Sequence, residues 1–152
     1  MGCKVTREMT FDCAHMLSGY AGDCKNLHGH TYKVQVTVEN TEGLYNEMGM
    51  IMDFKYLDDI MKEVIKNNFD HAIIFSGQSN RSAAEKSLLE WAKTHDMRHF
   101  IIPRKTTAEN MSHWIFEQLN SELQHYGIIR GVQCTSVKLW ETPKSFAEYS
   151  EV

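Results

Sequence analysis

At 152 residues, with 42% hydrophobic and 24% charged side chains, the chain has the length of one ordinary domain and can bury a core without disulfides. Its formal net charge of −4 excludes a general attraction to nucleic acid or anionic membranes, so an anionic substrate needs a local basic pocket. No apolar run approaches the roughly 20 residues that span a bilayer, and residues 1–6 lack the apolar core of a signal peptide.

Residues 4–13 alternate, with Val5, Met9, Phe11 and Cys13 on one parity and Lys4, Thr6, Glu8 and Asp12 on the other, which predicts a half-buried strand running toward His15. Residues 18–26, with Gly19 and Gly22, read as a loop. A second strand follows, Tyr32, Val34, Val36 and Val38 alternating with Lys33, Gln35, Thr37 and Glu39. Asp53 is the expected N-cap of a helix with the apolar stripe Phe54, Leu57, Ile60, Met61, Val64 and Ile65, ending near Asn67. After a short apolar run, Ile73-Ile74-Phe75, residues 81–95 form an additional helix with Leu88, Leu89, Trp91 and Ala92 on its apolar side. Thr106 and Glu109 fit a capping box for a helix that repeats Met111, Ile115, Leu119 and Leu123 and ends at Gly127. Residues 132–140 and 146–152 read as two more strands. The pattern predicts a single α+β domain over 1–152. Its fold is a four-stranded antiparallel sheet with two main helices on one face and one inserted helix.

The chemistry-bearing residues concentrate at one stretch. His28 and His30 flank Gly29, whose missing Cβ lets the backbone bend so that both rings turn toward one point, and His15 ends the first strand. Three imidazoles with one open position suit a catalytic Zn2+; the same residues also fit a polar turn and a strand end. Cys24, four residues before His28, is either a thiol activated by a nearby cation or a small buried hydrophobe. Asp70 beside His71 is either an acid orienting a histidine or a solvated helix end. Glu141 closes a strand, where a carboxylate can accept two parallel N–H bonds from a guanidine-like edge such as that of a pterin, or stand exposed. Cys3, Cys13, Cys24 and Cys134 form no CxxC pair, which implies reduced thiols and a cytoplasmic chain.

Taken in order, Phe11 with His15, Cys24-x-x-x-His28-Gly29-His30, residues 49–54 (Gly-Met-Ile-Met-Asp-Phe), Asp70-His71, residues 106–110 (Thr-Thr-Ala-Glu-Asn) and Glu141-Thr142 resemble the 6-pyruvoyltetrahydropterin synthase superfamily. The cysteine four residues before the histidine pair is similar to the bacterial 6-carboxytetrahydropterin synthase branch of queuosine biosynthesis. The pyruvoyl branch carries its cysteine two residues upstream, where this chain has Gly22. The resemblance implies the tunnelling fold, zinc on His15, His28 and His30, and a proton-transfer set of Cys24, Asp70 and His71. It implies a pterin anchor at Glu141, with Thr106 and Thr107 as the next substrate contacts and Lys25, Lys33 and Lys138 as candidate cations for a triphosphate. It further implies a homo-hexamer with active sites between neighbours. The implied reaction takes 7,8-dihydroneopterin triphosphate to 6-carboxy-5,6,7,8-tetrahydropterin, releasing acetaldehyde and triphosphate. The alternatives are 6-pyruvoyltetrahydropterin synthesis and a non-catalytic pterin- or metal-binding module. Two stretches depart from the pattern: residues 76–99 are longer than the usual connection, and Phe69 to Phe75 replaces a commoner Leu-Asp-His-Leu-Asn.

Overall fold

The computed structural model describes residues 2–125 and 130–151. In chain order its main elements are β1 (Lys4–His15), β2 (His28–Asn40), α1 (Phe54–Met61), α2 (Asn67–Phe69), β3 (Ala72–Ser76), α3 (Ala83–Thr94), β4 (His99–Ile102), α4 (Ala108–His125), β5 (Val132–Thr142) and β6 (Ser145–Ser150). The strands form one sheet in the order β4-β3-β1-β2-β5-β6.

The four expected antiparallel strands are present as β1, β2, β5 and β6, paired in that order. The sheet has six strands, however, and is mixed. β3 runs parallel to β1, and β4 runs parallel to β3, with α3 as the crossover between the two added strands. Their brevity explains the difference from the sequence reading. β3 is a continuous apolar run of five residues and β4 has four, so neither can display a period of two.

Alternation sorts the side chains. Phe11, Tyr32, Val34, Val36, Val38, Val137 and Leu139 are all at most 2% exposed, under the stripes of α1 and α4. Between α1 and α2 the helix widens into a π turn (Lys62–Lys66) that keeps both Val64 and Ile65 inside. Phe69 then sits at ring-centroid distances of 5.6 Å from Phe11, 5.5 Å from Phe100 and 5.4 Å from Trp114. On β3, Ile74 joins this core, whereas Phe75 packs with Leu89 and Ala92 of α3. Neighbouring residues of a strand face opposite ways, so the inserted helix covers the sheet face away from α1 and α4.

The start of α4 corrects the capping expectation by one residue. Asn110 donates its backbone N–H to Thr107 Oγ1 at 3.3 Å and Met111 donates to the Thr107 carbonyl at 2.9 Å, so Thr107 is the cap. Thr106 is 1% exposed and its hydroxyl has no hydrogen-bond partner, while Glu109 stands exposed in the first turn. Gly127 lies outside the described residues. Among the described residues, no helix is long and apolar enough to cross a membrane.

Phe69 is wholly buried, stacked on Phe11 and edge-on to Phe100 and Trp114. Phe69→Ala should therefore lower unfolding stability by about 3–5 kcal/mol. Chemical denaturation checks this, and an unchanged midpoint would remove Phe69 from the core.

Candidate metal centre

The antiparallel pairing of β1 and β2 sets His15 opposite His28 and Cys13 opposite His30. His15 continues the inward parity of Phe11 and Cys13, and His28 and His30 continue that of Tyr32 and Val34. All three rings therefore stand on the core face at one end of the sheet. β2 is extended from His28 onward, so the pleat, and not a bend at Gly29, turns the two rings the same way. Glu141 arrives from β5 at an irregularity in the β5–β6 ladder between Trp140 and Thr142. It keeps the inward parity of Val137 and Leu139, and a bulge at a strand end re-aims such a side chain.

Hydrogen bonds at the back of the rings decide what the front can do. His15 Nδ1 lies 2.7 Å from the Thr106 carbonyl oxygen and His28 Nδ1 lies 2.7 Å from that of Asn26. A carbonyl can only accept, so both Nδ1 atoms carry the proton and both Nε2 atoms are bare in the neutral rings. Those Nε2 atoms face each other at 3.1 Å. His30 Nε2 is 2.7 Å from Glu141 Oε1 but off the direction of a hydrogen bond, which makes it a buried nitrogen without a partner. Glu141 Oε1 is also 3.6 Å from His15 Nε2, and the four ligand atoms all lie within 4.8 Å of one another. Facing lone pairs repel unless a cation sits among them, so this donor set fits a divalent ion with nitrogen preference. Burial pushes the His30 pKa down, and the other two histidines add to that against the opposing Glu141 charge. The neighbouring histidines, His15 first, outweigh burial and hold Glu141 below the usual carboxylate range. Neutral imidazoles beside an ionised carboxylate are the protonation states a metal requires.

Among the described residues, Cys24, Asp70 and His71 make no hydrogen bond to this centre. Cys24 sits half-buried in a 3-10 turn (Asp23–Lys25), its carbonyl accepting from Leu17 N–H at 2.9 Å. Tyr32, whose hydroxyl is 3.5 Å from His15 Nε2, is pushed up by burial first and then by the charges of Cys13, Glu141 and Cys24. Asp70 Oδ1 accepts the Asp12 backbone N–H at 2.9 Å, and Oδ2 lies 3.2 Å from His71 Nδ1. Burial would raise the Asp70 pKa, but these two partners outweigh it and lower it. His71 donates its backbone N–H to the Asp12 carbonyl at 2.6 Å with φ at +58°, a strained value for a residue with a Cβ, and its side chain is 77% exposed. Asp70 and His71 make no hydrogen bond to the cluster, yet His71 and His30 line the same open groove of about 470 Å³, with Asp12, Ala14 and Thr31.

Three placements differ from the sequence reading. Thr106 serves the centre through its carbonyl, and Thr107 spends its hydroxyl on the helix cap. Lys33, 4.1 Å over the Trp140 ring, and Lys138, 3.9 Å from Glu148, have the parity opposite to the histidines and to Glu141. They occupy the other face of the sheet, which leaves Lys25 of the three candidate cations. Glu141 stands among the histidines, while Glu109, which the sequence pattern offers to a capping box, stands exposed in the first turn of α4.

A sequence model of the family described as 6-pyruvoyl tetrahydropterin synthase matches residues 4–152. The chain is 38% identical over 151 residues to the 6-carboxy-5,6,7,8-tetrahydropterin synthase of Haemophilus influenzae, covering 97% of this chain and 99% of that one. It is 32% identical over 152 residues to the protein of the same name from Rickettsia bellii, covering 95% and 98%. Among solved structures, the fold matches an uncharacterized protein of Wolinella succinogenes with a TM-score of 0.75 at 21% identity, covering 99% and 98%. It also matches Plasmodium vivax 6-pyruvoyltetrahydropterin synthase with a TM-score of 0.73 at 20% identity, covering 98% and 97%.

A histidine whose folded pKa is depressed takes up a proton more readily when unfolded, so the metal-free protein should lose stability as pH falls through the unfolded value of about 6.5. Affinity for a divalent metal ion should fall over the same range, and His30→Ala should remove most of it. Competition with a chromophoric chelator between pH 5 and 8 measures this; a pH-independent affinity would show that the imidazoles are not the ligands.

Proposed function

The chain belongs to the 6-pyruvoyl tetrahydropterin synthase family, and on that premise we propose that it is a zinc-dependent 6-carboxy-5,6,7,8-tetrahydropterin synthase. The substrate is 7,8-dihydroneopterin triphosphate, which with water yields 6-carboxytetrahydropterin, acetaldehyde and triphosphate. The observation that carries the reading is the convergence of three imidazole Nε2 atoms beside Glu141. The names of relatives that match over nearly their whole length support the carboxy product, as does Cys24 four residues before His28.

Zinc held by His15, His28 and His30 would polarise the substrate's side-chain hydroxyls and stabilise developing alkoxide. The chain's own groups do the remaining work. Cys24 exchanges a proton with the substrate side chain. Asp70, kept ionised by the Asp12 N–H and His71, takes the Nδ1–H of His71, which leaves the exposed Nε2 as the atom that moves a proton along the groove shared with His30. A carboxylate at the site accepts the paired N–H groups of the pterin edge. Glu141 was the sequence's choice. Its position against His30 and His15 makes Glu109, exposed in the first turn of α4, the competing anchor. The protein acts in the cytoplasm, in the queuosine precursor pathway. It assembles as a homo-hexamer of the tunnelling fold: β4 and β6 are open sheet edges, and Leu44, Tyr45 and Met48 on the connection after β2 and Phe54 and Tyr56 at the start of α1 expose apolar surface.

Incubation with 7,8-dihydroneopterin triphosphate should release one acetaldehyde per pterin product. A pyruvoyl product without acetaldehyde would assign the other chemistry of the family, and no turnover would leave a binding module. Cys24→Ala should lower kcat about 10²–10⁴-fold while pterin affinity changes little; turnover at the wild-type rate would remove Cys24 from the mechanism.

A further inference from the structure

The inserted crossover buries a carboxylate that the proposed reaction does not use. Glu85, in the first turn of α3, is 0% exposed. A buried carboxylate persists only where its oxygens are satisfied, and the partners of Glu85 come from three different segments. Its Oε2 accepts from Ser18 Oγ at 2.5 Å, its Oε1 accepts from the Ser76 backbone N–H at 3.1 Å, and its own N–H is capped by Ser82 Oγ at 3.1 Å. Ser82 N–H donates in turn to Ser18 Oγ at 3.0 Å. Arg81 Nε donates to the Ser76 carbonyl, and Lys105 Nζ donates to the Ser18 carbonyl at 3.4 Å.

These contacts converge on the back of one ring. Ser18 lies three residues after His15, and Lys105 immediately precedes Thr106, whose carbonyl takes the His15 Nδ1 proton. Ser18, Ser76, Glu85, Lys105 and the fully buried Thr106 line one small cavity of about 10 Å³. The chain leaving His15 is thus gripped from α3 through Ser18, and Ser18 in turn accepts from Lys105, next to the Thr106 acceptor.

We propose that Glu85 is a positioning residue for the metal centre, an inference that rests on reading the histidine cluster as a metal site. By fixing Ser18 and the end of β3, it holds the Thr106 carbonyl where it selects the His15 tautomer with Nε2 bare. The residues 76–99 that lengthen the chain relative to the family pattern are therefore a brace for the first histidine.

The test uses the full chain. Zinc affinity is measured by competition with a chromophoric chelator, and ligand geometry by the visible spectrum of the Co2+-loaded protein. Glu85→Ala should weaken zinc binding by about tenfold or more, in the range found when partners behind a metal ligand are removed, and should shift the cobalt bands. Glu85→Gln, which keeps an oxygen for the Ser76 N–H, should recover most of the affinity. Leu89→Ala removes an apolar contact with Phe75 in the same helix and should lower thermal stability without moving affinity or spectrum. Wild-type affinity and spectrum in Glu85→Ala would overturn the proposal, as would an equal loss in Leu89→Ala. If Glu85→Ala does not fold, Ser18→Ala reads the same grip, with weakened zinc expected and unchanged zinc overturning it. A wild-type chain that binds neither ion would overturn the metal reading itself, and the brace with it.

Discussion

His15 gives its Nδ1 proton to the carbonyl of Thr106, and His28 gives its own to the carbonyl of Asn26, so two bare Nε2 atoms point at each other across 3.1 Å. Neither carbonyl can be replaced by a donor, and neither ring can flip without losing a bond. With the unpartnered Nε2 of His30 and an oxygen of Glu141 added, four electron-rich atoms occupy one small volume. That arrangement is stable only around positive charge. A metal ion is one such charge that these four ligand atoms could hold, beside the groove that His30 shares with His71.

The fold exists in the form that delivers these atoms. A strand pleat of period two carries His15 inward with Phe11 and Cys13, and the antiparallel register aligns it with His28. The bulged end of β5 returns a carboxylate to the same spot. The α4 N-terminus contributes a carbonyl from outside the helix proper, because the cap falls on Thr107 and leaves Thr106 free to face His15. On the far edge, the π turn and α2 set Phe69 into an aromatic cluster, and the next two residues emerge as Asp70, tied to the Asp12 backbone, and His71 in a left-handed conformation. The backbone strain at His71 is maintained by that packing.

Much of this was legible from residue parity. The alternation of residues 4–13 and 32–39 predicts both central strands, and extending the first forward by two residues and the second back by four places the three histidines on the core face. The same alternation puts Lys33 on the opposite face, a consequence that composition alone obscures. Where tertiary context decided, the sequence was silent. β3 and β4 are too short to show a period; β3 becomes a strand by pairing with β1, and β4 because α3 returns the chain alongside β3. Thr106 with Glu109 carries the capping-box pattern, yet Thr107 caps the helix and the Thr106 carbonyl faces His15. Glu85 reads as an ordinary acidic residue of a helix first turn, and nothing local announces that Ser18, 67 residues away, is its partner.

Zinc K-edge X-ray absorption on the purified protein tests the central claim most directly, because it reports the ligand atoms themselves. A shell of nitrogen and oxygen at about 2.0–2.1 Å, with the outer-shell scattering of three imidazole rings and no sulfur, is the result this geometry predicts. A sulfur shell near 2.3 Å, or fewer than three imidazoles, would place the ion elsewhere and contradict it.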